Sequence, residues 1–193
     1  MKIAKNWNQV TIGQFQELQL LTEPTFENQI KTVAILTGKS TDEIEELAIV
    51  ELTAIVKDLG WMATLPNPKD MQTFRIGGTW YYFVVNHNQL AAHQFITVQD
   101  LFADNTKWIG NLHKIMASLC VRKSMLGISK PVKSEEFDNL AELFRNRMPI
   151  SVAYAYTLFF SLCLPGLLEI TRQYLEQEVE NLRKMAGEKN GQQ

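Results

Sequence analysis

Fifteen consecutive residues, Ile150 to Leu164 (ISVAYAYTLFFSLCL), carry no charge. A stretch of that kind has two homes: a protein core that encloses it on every side, or a bilayer. Crossing a bilayer takes about 20 apolar residues, and Pro165 and Gly166 let this run extend only to Leu168. Ser151, Thr157 and Ser161 fall at helical intervals within it, and Arg145 and Arg147 stand just before it. The run therefore predicts a helix buried on all sides in a folded domain. The mean hydropathy of the chain, −0.13, agrees with that reading.

The composition sets the size of that domain. With 193 residues, 46% of them apolar and 21% charged, the chain can bury one well-packed core and is not disordered as a whole. A net charge of −2 gives no general basic face of the kind that binds nucleic acid. Arg122-Lys123 and the lysines of 130–133 are short basic clusters, the second broken by Pro131, and read as solvated loops. Cys120 and Cys163 lie in apolar, helical-looking contexts and read as small buried hydrophobes in a reducing compartment. The opening residues Met1 to Trp7 lack the apolar centre of a signal peptide, which predicts a cytoplasmic protein.

Apolar spacing predicts most of the elements. A short helix runs from Thr11 to Leu21 with Ile12, Phe15 and Leu18 on one face, stapled by Trp7 and Val10. A second starts with Pro24 in its first turn and ends near Leu36, with Phe26, Ile30, Val33 and Ala34 inward. Helices follow over Thr41–Ala48 and Val50–Ala63, the latter with Leu52, Ile55, Val56 and Leu59 inward. Gln89–Phe95 is ambiguous, and Thr97 and Asp100 open a short helix through Phe102. Asn105–Val121 reads as one helix, 126–132 as a loop, and Ser134 caps a helix to Arg147. One β-signal interrupts the series. Thr73–Ile76 and Thr79–Val85 flank Gly77-Gly78, whose positive φ angles suit a two-residue type I′ turn. The fold class is thus mainly α: a compact multi-helix domain over 1–186 with an inserted β-hairpin at about 73–85, and a disordered tail at 187–193.

Gly38-Lys39-Ser40-Thr41 has the ending of a phosphate-binding loop. That motif needs an earlier glycine and a preceding strand. Here Val33 stands where the glycine belongs, and helical spacing runs up to Gly38. Gly38 instead reads as a left-handed helix stop, and Ser40 with Glu43 as the capping box of the next helix. The histidines His87, His93 and His113 form no metal-binding pattern, His113 reading as a surface or boundary residue. The acidic pairs sit in first helical turns, where they complement the helix dipole. No catalytic, cofactor-binding or metal-ligating residues are assigned, and no small-molecule substrate. Binding surfaces are the better lead. Trp80 and Tyr82 carry the aromatic side of the hairpin. Leu168, Leu175, Val179 and Leu182 form a seam of little more than two heptads, suited first to packing on the chain's own core and otherwise to a partner helix or to self-association.

The order of parts carries a family resemblance. An opening helix (Ile12 to Leu18) precedes Ile35-Leu36-Thr37-Gly38 and the capped run Ser40 to Leu47; a glycine-turn hairpin, Gln94 to Leu101 and an aromatic late helix follow. The chain resembles small, mainly helical proteins encoded among the virion genes of tailed bacteriophages, some of them tail assembly chaperones. The resemblance implies a non-enzymatic protein that binds another phage protein, in the cytoplasm of the infected host or within the virion. A structural virion subunit of the neck, tail or packaged contents is the alternative, and a nucleotide-binding protein using Lys39 a third. The first two readings call for no cofactor, and none of the three for a membrane or nucleic acid.

Overall fold

A computed structural model of the chain describes residues 1–66, 73–84, 90–102, 108–123, 129–131 and 134–156. It is mainly helical with a small antiparallel sheet. Thr11 opens α1 (Ile12–Leu18) through a capping box, its hydroxyl accepting from Gln14 N while Gln14 Oε1 accepts from Thr11 N. Trp7 stands edge-on to Phe15 at 5.7 Å and fixes the approach to this helix. The hydroxyl of Thr25 caps α2 (Phe26–Thr37), so Pro24 precedes the cap and does not occupy the first turn. Phe26, expected inward, is 55% exposed, while Ile30, Val33, Ala34 and Leu36 are buried.

Beyond α2 come α3 (Thr41–Glu45) and α4 (Ile49–Asp58), the latter tightening into a 3-10 turn over Leu59–Ala63. Ile44, Leu52 and Leu59 reach the core from this region. The helix α5 (Ala92–Phe102) starts well before the expected Thr97. Gln94 Oε1 accepts from Ala91 N at 3.1 Å, and its amide donates to Ser118 O at 2.8 Å. A side chain three residues into the helix thus ties its first turn to the core.

The sheet is larger than a lone hairpin. Strands β1 (Thr73–Ile76), β2 (Thr79–Phe83), β3 (Cys120–Lys123) and β4 (Ser129–Pro131) pair antiparallel in that order. The helix expected over Asn105–Val121 is α6 (Trp108–Leu119), and its last expected residues leave to pair with β2. Cys120 therefore sits in a strand, and part of the expected loop at 126–132 is β4. An isolated hairpin is marginal in water; Val84 N donating to Leu119 O at 2.9 Å starts the ladder that supports it.

The centre of the core lies where α7 (Ser134–Arg147) packs against α1, α6 and β1. Leu112, Ile115, Met116, Leu119, Phe144 and Met148 have no exposed surface. Phe144 meets the rings of Phe74 and Tyr81 edge-on at 5.6 and 5.2 Å, joining helices to sheet. The uncharged run opens as α8, residues 150–156, with Ile150, Ser151, Val152, Ala153 and Tyr156 all buried. Its remainder, from Thr157, is outside the described residues. Chain start and α7–α8 junction meet in a short bridge: Ile12 N donates to Met148 O at 3.0 Å and Ile150 N to Val10 O at 2.8 Å. Met1–Tyr156 makes one compact unit. The rest of the expected 1–186 domain, and the tail expected at 187–193, lie outside the described residues. Among the described residues no helix is long and apolar enough to cross a membrane.

Candidate functional site at the hairpin edge

The turn places the candidate residues. Gly77 and Gly78 have φ of 59° and 83°, the left-handed pair that a type I′ turn requires and that side chains resist. Their turn pairs Ile76 with Thr79, and the register continues as Arg75 with Trp80, Phe74 with Tyr81 and Thr73 with Tyr82. Cross-strand partners share a face. Phe74, Ile76, Tyr81 and Phe83 therefore point into the core, all of them buried, while Arg75, Trp80 and Tyr82 occupy the opposite face. Trp80 is 50% exposed and Tyr82 half-buried. Arg75 Nε donates to Gly78 O at 3.2 Å, which holds the guanidinium alongside the turn. Trp80 and Tyr82 are thus brought together, with an arginine that sequence reasoning did not select. The register implied by two turn glycines was the signal that puts Arg75 opposite Trp80.

Backbone polarity follows from the same ladder. Because Val84 N donates to Leu119 O, on the β3 side, the even residues of β2 direct their amides toward β3 and the odd ones toward β1. Phe74 and Ile76 thus bond β2, and the amides and carbonyls of Thr73 and Arg75 face the outer edge. Among the described residues no strand pairs with that edge.

A cleft of about 300 Å³ runs beside it, between β1 and the α7–α8 junction. Phe74, Ile76, Met148 and Val152 supply apolar lining, and the exposed Asn8, Arg75 and Arg147 are its polar members. Ser151 also lines it, 1% exposed, its Oγ buried without a hydrogen-bond partner. Leaving a buried hydroxyl unpaired costs about 1–3 kcal/mol. The basic residues flank an apolar floor that encloses this hydroxyl.

The other candidates have structural explanations. Gly38 (φ 71°) closes α2, its amide and that of Lys39 donating to Ala34 O at 2.8 and 3.2 Å. Ser40 and Glu43 form the capping box of α3. Lys39 Nζ bonds Glu43 Oε1 at 2.9 Å, and the Glu43 carboxyl is held below its usual range first by that contact and then by Ser40 N. A helix, not a strand, leads into the glycine. His113 is buried, against expectation, on a helix packed between α1 and α7, and Gln16 of α1 contacts its ring. His93 is exposed on α5, and no metal-binding cluster occurs among the described residues. Cys120 is fully buried, and burial pushes its thiol well up. His87, Cys163, Leu168, Leu175, Val179 and Leu182 lie outside the described residues. Compared with known proteins, the chain matches no family model, no curated protein and no solved structure.

Proposed function

We propose that this protein acts by protein–protein contact, without catalysis, as an assembly factor of a tailed bacteriophage similar to tail assembly chaperones. The observation that carries the reading is the outward pairing of Trp80 and Arg75, with Tyr82 beside them. Half-exposed tryptophan and arginine are the side chains that most often dominate binding energy at protein interfaces. The work of such a factor is to cover an aggregation-prone partner, such as a long helical tail protein, in the cytoplasm of the infected cell. Co-expression with the products of neighbouring genes tests it. One of them is expected to co-purify with the wild type and to be lost on Trp80→Ala, and mass spectrometry of purified particles is expected to lack the protein. Its presence in particles at fixed stoichiometry would instead establish a structural virion subunit.

A further inference from the structure

The cleft beside β1 combines three kinds of recognition that a packing defect does not. Its edge offers the amide and carbonyl groups of Thr73 and Arg75 in strand geometry. Its sides carry Arg75 and Arg147, and neither guanidinium has a carboxylate partner among the described residues. Its floor is apolar except for Ser151, whose enclosed hydroxyl has no partner. An exposed sheet edge binds an extended chain through main-chain bonds, while pockets for alternate side chains supply selectivity. Guanidinium groups prefer carboxylates, which they grip with paired N–H donors.

We propose that this cleft takes an acidic peptide in extended form as an added strand on β1. One of its carboxylates lies between Arg75 and Arg147, and an apolar side chain rests on Phe74, Ile76 and Val152. The inference deepens the protein-contact reading and rests on it: it gives that surface a partner of stated chemistry, whereas Trp80 and Tyr82 form the neighbouring outward face.

The test uses the full chain and a fluorescent peptide alternating valine and glutamate, followed by anisotropy. The peptide is expected to bind, and its glutamine counterpart to bind about tenfold more weakly or not at all, the effect of losing one charge-assisted contact. Arg147→Gln and Arg75→Gln are each expected to weaken binding by about the same factor. Both side chains are exposed, so folding is not at stake. Strand addition has its own signature: hydrogen exchange at the Thr73 and Arg75 amides slows on binding. Equal affinity for the two peptides, unaltered binding by both arginine variants, or unchanged exchange at those amides overturns the proposal. So does full displacement by millimolar inorganic phosphate, which marks an anion site without a strand. If Trp80→Ala abolishes partner capture while Arg147→Gln leaves peptide binding intact, the cleft assignment fails and the protein-contact reading stands.

Discussion

His113 is held by a contact that fixes its chemistry. Gln16 Nε2 lies 2.8 and 2.9 Å from the carbonyl oxygens of Ile109 and Gly110 and 3.0 Å from His113 Nδ1. An amide nitrogen only donates and shares its two hydrogens among these three acceptors, an arrangement that suits an accepting Nδ1 and a neutral ring with its proton on Nε2. Protonating Nδ1 would turn a donor against a donor. Burial is the largest influence and pushes the pKa below 6.5; Glu142 opposes it, and Arg145 and Lys114 reinforce it. With the folded pKa below the unfolded one, the unfolded chain binds the proton first as pH falls. The contribution is whole above about pH 6.5 and is lost as pH falls through the folded value. Urea unfolding is therefore expected to give a lower midpoint at about pH 5.5 than at about pH 7.5. His113→Gln is expected to flatten that slope, and an equally steep slope in the variant would refute the assignment. None of this was legible in the sequence, because Gln16 is 97 positions away. Arg147 and Ser151 escaped for a like reason: the cleft they line is made by a strand more than 70 positions earlier. Gly38, by contrast, was legible because everything that determines it is local.

The elements divide along the same line. The capping box at Ser40 and the Gly77-Gly78 turn are written within four residues, and the structure has both. Trp80 and Tyr82 stand two positions apart in β2, and the register sets them on one outward face. The strand β3 was hidden, since Leu119-Cys120-Val121 continues the apolar rhythm of α6 and only pairing with β2 converts it. Val121 faces Tyr82 in a hydrogen-bonded pair by the alternation already described. Val121→Pro removes that N–H from an interior strand and forces its ring into the ladder, and is expected to cost about 2 kcal/mol or more. Faster hydrogen exchange at the Tyr82 amide, with α6 amides retained, is the measurement that checks it. Unchanged exchange would mean that β3 does not support the hairpin.

At the scale of the molecule, one side chain joins the two kinds of structure. Phe144 on α7 has no exposed surface and touches Phe74 and Tyr81 from opposite strands of the hairpin. Phe144→Ala is expected to cost about 3–5 kcal/mol, the range for emptying an aromatic site in a core. Near-ultraviolet circular dichroism should lose tyrosine signal in step, because Tyr81 loses its neighbour; a stability loss under about 1 kcal/mol would contradict the packing described. The bridge from Val10 and Ile12 to Met148 and Ile150 has a consequence in time. A ribosome adds roughly 5–20 residues per second, so the opening segment emerges on the order of ten seconds before its partners exist. Throughout that interval Val10 and Ile12, which show no surface in the finished fold, lack the partners that complete their enclosure. The bridge can close only once Ile150 has been made, so this pairing of distant segments cannot precede the synthesis of α7.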